Sequence, residues 1–142
     1  MKFNIDLIKR RVSEIKSSID GLGSLALMDR EMFLSDPNAC DAAKYKLLVA
    51  IEATLSICNH INAKISKKVP ETYADCFIIL GDSGVISSEL AERLAKMAKF
   101  RNMLIHIYWE IDDAKVYDII NQDLNDLRMY INDLKKFFGK EL

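Results

Sequence analysis

The chain has 142 residues, of which half are apolar and 29% are charged, a composition typical of a globular protein that can bury a core. Its 20 basic and 21 acidic side chains leave a net charge of −1, which excludes attraction to nucleic acid or to a membrane through overall charge alone. The longest apolar runs, such as residues 76–80, are far too short to cross a bilayer, and the first residues lack the apolar core of a signal peptide. We therefore expect a single cytoplasmic domain over residues 1–142.

The first predicted element is a helix near the N-terminus, because apolar side chains recur there at alternating spacings of three and four residues. This stripe consists of Ile5, Ile8, Val12, Ile15, Ile19 and Leu22. Gly21 and Gly23 are expected to kink or interrupt the helix before residues 25–34 resume it.

A second, longer helix is predicted to begin at the pair Asp36 and Pro37. Asp36 can accept a hydrogen bond as the N-cap, and Pro37 suits the first helical position because it has no backbone N–H to satisfy. The apolar stripe that follows consists of Leu47, Ile51, Thr54, Cys58, Ile61 and Ile65. The basic residues Lys64, Lys67 and Lys68 suit the negative end of the helix dipole.

Two further helices are predicted in the middle of the chain. A shorter third helix is expected to begin at Pro70 and to end at Gly81, because proline favours the first turn of a helix and glycine its end. Ser87 or Ser88 is then expected to cap a fourth helix that runs to about Tyr108.

The last predicted helix begins at the acidic pair Asp112 and Asp113 and ends at Gly139. Its apolar stripe consists of Val116, Ile120, Leu127, Ile131, Leu134 and Phe138. No segment of the sequence alternates with a period of two over the length of a strand. The sequence therefore predicts an all-α protein, an antiparallel helical bundle of four long helices plus one short helix.

The three cysteines, Cys40, Cys58 and Cys76, are odd in number and widely spaced. There is no CxxC motif and no cluster of cysteine with histidine, so the sequence predicts neither a disulfide framework nor a zinc site. We expect reduced thiols in the core, and neither a metal ion nor a cofactor.

The segment from Arg101 to Tyr108 holds the residues best suited to chemistry. His106 is one of only two histidines, and histidine exchanges protons near neutral pH. On a straight helix Asn102 and His106 lie about 40° apart, and Arg101 and Tyr108 align within about 20°. Arg101 and His106 are about 140° apart, so a shared site needs a helix irregularity near residues 99–100, a long reach by the arginine, or a second copy of the chain.

Arg101 also falls in phase with the apolar stripe of its helix, where an unpaired guanidinium is costly to bury. Such a violation of the local pattern is typical of a functional site or an interface. The alternative is that Arg101 pairs with a carboxylate and only locks two helices together. Helical spacing alone leaves both interpretations open.

The string from Arg101 to His106, with polar Asn102 after the arginine, resembles the Arg-x4-6-His signature of HEPN domains. With Tyr108 added, it resembles the HepT toxins of HepT/MntA toxin–antitoxin pairs. The similarity extends through residues 70–77, 80–81, 90–98 and 108–112. The first helix is matched only in general character.

This resemblance implies a HEPN-like fold and a metal-independent endoribonuclease toxin, usually a homodimer whose motif helices line one cleft. It implies that Arg101 and His106 are catalytic and that Asn102 supports them. In RNA the 2′-hydroxyl attacks the adjacent phosphate when a base removes its proton and an acid protonates the leaving oxygen. Two copies of His106 would act as base and acid, and Arg101 would neutralise the developing charge. Two other functions are left open: a non-catalytic HEPN module that partners a nucleotidyltransferase, and a purely structural helical dimer.

The resemblance also implies a partner, an MntA-like nucleotidyltransferase antitoxin that AMPylates Tyr108. An attached nucleotide would bring negative charge and bulk next to Arg101 and would block the substrate phosphate. The alternative for Tyr108 is ordinary packing in the core or at an interface.

Three further residues are candidates for RNA binding. Lys96 and Lys99 form a local basic edge with Arg93, although a solvated helix face would have the same pattern. His60 is the third candidate, and the alternative is that it is a packed or solvated histidine with no role in binding. Trp109 could stack on a base, although burial in the bundle is the simpler expectation.

Overall fold

The computed structural model describes residues 2–142, and every regular element in that range is helical. The helices are α1 (Ile5–Ala26), α2 (Arg30–Leu34), α3 (Pro37–Ile65), α4 (Tyr73–Asp82), α5 (Ser88–His106), α6 (Asp113–Gln122) and α7 (Leu124–Phe138). Short 3-10 turns follow α5 at Tyr108–Glu110 and α7 at Gly139–Glu141. The predicted all-α class and the helical bundle are confirmed.

The core lies between α1, α3, α5 and α7, and the predicted apolar stripes form it. On α1 the stripe is buried from Ile8 to Leu22. Tyr130 of α7 is fully buried, and its hydroxyl donates to the Thr54 carbonyl across the bundle at 3.0 Å. The three cysteines are also buried and unbridged, as predicted. No helix in residues 2–142 is long and apolar enough to cross a membrane.

Several predicted helix ends are confirmed by their hydrogen bonds. The Asp36 carboxylate accepts from the backbone N–H groups of Asn38 and Ala39 at 3.0 and 3.1 Å. Ser87, and not Ser88, caps α5 by accepting from Leu90 N at 3.2 Å. These caps satisfy backbone donors that the first turn of a helix leaves without partners.

Several helix boundaries before α5 differ from the prediction. Helix α1 continues through both glycines to Ala26, because its buried stripe runs on to Leu22. A Cβ at Gly21 would meet only the flexible Lys46 side chain of α3, at 2.9 Å from Cδ. Residues 25–34 are then divided by a turn before α2. Helix α4 begins at Tyr73 rather than Pro70, because Thr72 and Asp75 form a reciprocal capping box.

The predicted last helix is two helices, α6 and α7, which meet at Asp123. Leu124 and Leu127 continue the apolar phase of Val116 and Ile120, and no glycine or proline marks the junction. Periodicity therefore could not reveal the break. The predicted four long helices correspond to α1, α3, α5 and α7, but three shorter helices accompany them instead of one.

Candidate active site

Helix α5 presents Arg101, Asn102 and His106 to one open cavity of about 830 Å³. The cavity is lined by Asn59, Pro70, Glu71, Thr72, Tyr73, Arg101, Asn102, Ile105 and His106. Helix α3 and the segment that precedes α4 thus form the wall opposite the motif. One protomer therefore brings the two predicted catalytic residues and the predicted supporting residue to the same solvent-filled space.

The cavity also shows how Arg101 and His106 can share one site although they point in different directions from α5. Helix α5 is continuous from Ser88 to His106, so there is no irregularity at residues 99–100. Both side chains nevertheless line the cavity, although their positions lie about 140° apart around the helix axis. A second copy of the chain is not needed to bring Arg101 and His106 to one site.

Arg101 is held by three contacts, and only 13% of its side chain is exposed. Its Nε donates to Oε1 of Glu52 on α3, and Nη1 donates to Oδ1 of Asn102 at 3.2 Å. Its guanidinium carbon lies 4.4 Å from the centre of the Tyr73 ring. The alternative predicted from the sequence, pairing with a carboxylate, is thus observed, and Arg101 also lines the cavity. The pair holds the guanidinium at the edge of this space.

Sequence reasoning missed Glu52, Asn59 and Tyr73, the side chains that complete this site. Glu52 and Asn59 are seven residues apart, so they lie on the same side of α3. That spacing is visible in the sequence and could have identified a polar line on α3. It could not have shown that this line faces Arg101, because the packing of α3 against α5 decides the pairing.

His106 is exposed at the last position of α5. Within residues 2–142 its imidazole forms no side-chain hydrogen bond. The side chain lines the cavity, so its ring nitrogens are open to the cavity or to solvent. Asn102, which was predicted to support the catalytic residues, accepts a hydrogen bond from Arg101 through Oδ1. The imidazole is therefore available to exchange a proton with a bound molecule.

Tyr108 lies outside α5, contrary to the predicted helix end. The helix stops at His106 because Ile107 adopts φ −137° and ψ 41°, and the chain then turns through Tyr108–Glu110. Buried Ile111 anchors the far end of this turn. Helical alignment of Arg101 with Tyr108 is therefore wrong, and Tyr108 does not line the cavity.

The Tyr108 side chain packs against α3 instead. Its hydroxyl donates to Oδ1 of Asp41 at 2.9 Å, and Nζ of Lys44 lies 4.7 Å from the ring centre. Lys44 is buried and pairs with Asp113 at 2.7 Å. Burial, followed by the hydrogen bond and the charge of Asp41, raises the pKa of Tyr108 to about 12.

The predicted RNA-binding lysines lie beside a second cavity on α5. Lys96 and Lys99 are exposed at a cavity of about 450 Å³ whose floor includes Leu47 and Phe100. Arg93 lines the same cavity but is paired with Asp126 at 2.8 Å. Lys99 shares a helix stripe with His106, seven residues later, so its side of this cavity adjoins the active-site face.

His60 and Trp109 occupy other surroundings. Nε2 of His60 accepts a hydrogen bond from the backbone N–H of Asn4 at 2.9 Å, and its ring meets Phe3 edge-on. His60 therefore packs against the N-terminal segment and does not line the cavity that holds His106. Trp109 is 78% exposed, so its expected burial is wrong. No group of three or more metal-binding side chains occurs in the part of the chain that the structure describes.

Comparison with known proteins gives a consistent set of relatives. Residues 6–134 match the family described as Ribonuclease HepT-like. The mRNA nuclease HepT of Shewanella oneidensis is 28% identical over 130 residues, which are 92% of this chain and 97% of that protein. The tRNA nuclease HepT of Aphanizomenon flos-aquae is 25% identical over 131 residues, which are 92% and 89% of the two chains.

Solved structures give the same result. A toxin–antitoxin crystal structure with AMP-PNP has a TM-score of 0.85 at 27% identity, covering 92% of this chain and 98% of that one. A tri-AMPylated Shewanella oneidensis HEPN toxin in complex with an MNT antitoxin has a TM-score of 0.84 at 27% identity, covering 96% and 99%. These matches confirm the resemblance that was inferred from the motif.

Proposed function

The chain belongs to the HepT-like ribonuclease family, and from that premise we propose that it is a metal-independent endoribonuclease toxin acting in the cytoplasm. The observation that supports the proposal is the shared cavity of Arg101, Asn102 and His106. Its volume of about 830 Å³ lies in the range of small-ligand sites. Two relatives are an mRNA nuclease and a tRNA nuclease, and we propose RNA as the substrate here.

The proposed reaction needs a base, an acid and a group that stabilises charge on the phosphate. The ribose 2′-oxygen attacks the adjacent phosphorus and its proton passes to one imidazole, while the bond from phosphorus to the 5′-oxygen breaks and a second imidazole protonates that oxygen. Arg101 stabilises the charge that grows on the non-bridging oxygens, for which a planar guanidinium fork is suited. Glu52, Tyr73 and Asn102 hold Arg101 in the cavity wall and so reduce the reorganisation that this step requires.

A homodimer supplies the second proton-exchanging group. Base and acid are both required, and among the residues that line this cavity one protomer contributes a single histidine, His106, and a single carboxylate, Glu71. Tyr73 and Ile105 are each 41% exposed at the cavity, and Trp109 is exposed close by in the sequence. We propose that a second copy covers this apolar rim and contributes its own His106.

Sedimentation should therefore show a dimer at the protein concentrations at which RNA is cleaved. Cleavage per chain should fall on dilution as the dimer dissociates, because each site would lose one of its two imidazoles. A protein that remains monomeric while cleaving RNA at an undiminished rate per chain would contradict the two-copy mechanism.

Lys96 and Lys99 are proposed to bind RNA backbone next to the cleavage site. They are exposed on α5, and the stripe through Lys99 and Met103 leads directly to His106. Phosphates of a strand bound in the active-site cavity would be within reach of this basic edge even though the overall charge is −1.

Tyr108 is proposed as the site at which an MntA-like antitoxin attaches AMP. The tri-AMPylated HEPN toxin bound to its MNT antitoxin and the AMP-PNP complex support this assignment. Only Ile107 separates Tyr108 from His106, so an attached nucleotide would lie within reach of the active-site cavity. Its phosphate would also repel the carboxylate of Asp41, and its bulk would lie beside the end of α5 that carries His106.

An RNA-cleavage assay in EDTA tests the proposed function. We expect cleavage by the wild-type chain in the chelator, with 2′,3′-cyclic phosphate ends on the products. His106→Ala should lower the rate by at least about 100-fold, the usual contribution of a general acid–base group.

Added imidazole should partly restore cleavage by His106→Ala, because it can enter the open space that the side chain leaves. Circular dichroism checks that the variant is folded. Undiminished cleavage by folded His106→Ala would disprove the mechanism, and loss of wild-type cleavage in EDTA would disprove its metal independence.

A further inference from the structure

Tyr108 is the tyrosine whose hydroxyl contacts a carboxylate. Among the described residues, the hydroxyls of Tyr117 and Tyr130 donate to the neutral carbonyl groups of Met28 and Thr54. Tyr108 donates to Asp41 at 2.9 Å and is still 36% exposed. It therefore combines access from solvent with a base already in hydrogen-bonding contact with its proton.

This contact matters because a neutral phenol is a weak nucleophile. With the pKa of Tyr108 raised to about 12, fewer than about one hydroxyl in ten thousand is ionised at pH 7.5. Attack on phosphorus at neutral pH is therefore fastest when a neighbouring base removes the proton during the step.

We propose that Asp41 is the base and positioning group that makes Tyr108 the acceptor of a nucleotidyl group. This inference rests on the proposed function, since it takes Tyr108 as the modified residue and a nucleotidyltransferase as the partner. Oη of Tyr108 attacks the α-phosphorus of a nucleoside triphosphate while Oδ1 of Asp41 accepts the hydroxyl proton. The Oη–phosphorus bond forms, the bond from the α-phosphorus to the bridging oxygen breaks, and pyrophosphate leaves.

The other charged and titratable groups around Tyr108 are poorly placed for this role. Asp113 of α6 is paired with Lys44 of α3, and Lys44 lies over the ring rather than at the hydroxyl. Cys40 of α3 is buried, and burial raises its pKa. Within residues 2–142, Asp41 alone accepts a hydrogen bond from the Tyr108 hydroxyl.

The position of the bond also orients the nucleophile. Because the hydroxyl donates its hydrogen to Asp41, the oxygen lone pairs point away from that carboxylate. The residue is 36% exposed, so a partner can approach it with the triphosphate. Packing of Lys44 against the ring limits rotation of the side chain. Asp41 is thus expected to affect both the proton transfer and the direction of attack.

The test measures AMP addition to the full chain by an MntA-like nucleotidyltransferase, with ATP and Mg²⁺. Intact mass spectrometry gives the rates between pH 6 and pH 9. For Asp41→Asn, which keeps an acceptor oxygen but not a base, we expect a rate about 100-fold below that of the wild type at pH 7. The ratio of variant to wild-type rates should rise about tenfold per pH unit, because attack then waits for ionisation of the phenol.

The control for lost charge is Glu110→Gln, which removes an exposed carboxylate from the turn that contains Tyr108. The ratio of the Glu110→Gln rate to the wild-type rate should not change with pH. Weaker binding of the partner would lower the rate of Asp41→Asn without producing the slope. A rate for Asp41→Asn equal to that of the wild type across this pH range would overturn the role of Asp41. If the wild type gains no AMP, or if Tyr108→Phe gains it as fast, the assignment of Tyr108 itself fails.

Discussion

Replacing Arg101 with alanine is expected to reduce RNA cleavage by about 100- to 1,000-fold, the usual effect of removing a preorganised group that stabilises transition-state charge. Arg101→Lys should recover little of this loss, because a single ammonium cannot reproduce the planar fork that matches phosphate oxygens. Single-turnover cleavage of a short RNA in EDTA measures the effect on the chemical step. Stability should change little, because the Glu52 partner is 47% exposed and its carboxylate can be hydrated once it is unpaired.

Arg30 offers a matched control for this prediction. It too pairs with a carboxylate, Asp118 at 2.8 Å, and lies over a tyrosine ring, Tyr117 at 5.6 Å. It joins α2 to α6, however, and does not line the active-site cavity. Arg30→Ala should keep cleavage within about twofold of the wild type. Equal losses in Arg30→Ala and Arg101→Ala would mean that both act through the fold, and the proposed role of Arg101 would be wrong.

Gly81→Ala is expected to destabilise the fold by about 1–3 kcal/mol, the usual cost of overpacking a core contact. Gly81 lies where α4 packs on α5, and a Cβ there would lie 2.7 Å from Cβ of Ala91. The helices must separate to relieve this contact. Tyr73, at the start of α4, would then shift relative to Arg101. Urea unfolding measures the free energy, and a shift of the midpoint without a change in slope indicates lost stability.

Gly23→Ala is the control, because this glycine also lies inside a helix but has no neighbour within 4 Å of an added Cβ. Alanine should stabilise the protein there by about 0.5–1 kcal/mol, since it restricts the unfolded chain and favours the helix. The two substitutions are thus expected to have opposite signs. A stable Gly81→Ala variant would show that α4 and α5 are not in such close contact.

The sequence predicted the parts of the fold that depend on neighbours along the chain. Apolar spacing identified the long helices, and Asp36 and Ser87 were found as caps because a cap acts within one turn. The break at Asp123 was missed because the apolar residues on both sides of it keep the same helical phase. Their spacing therefore predicts one continuous helix. The end of α5 was placed too late because Tyr108 fits the helical stripe, although its side chain packs against α3.

The motif from Arg101 to Tyr108 could be read from the sequence alone, and it identified the family correctly. The residues that contact the motif could not be predicted, because the bonds from Arg101 to Glu52 and from Tyr108 to Asp41 join residues 49 and 67 positions apart. Spacing within one helix carries no information on which face of another helix it meets. Only the packing of α3 against α5 and against the turn that follows α5 decided that the arginine and the tyrosine each have a carboxylate partner.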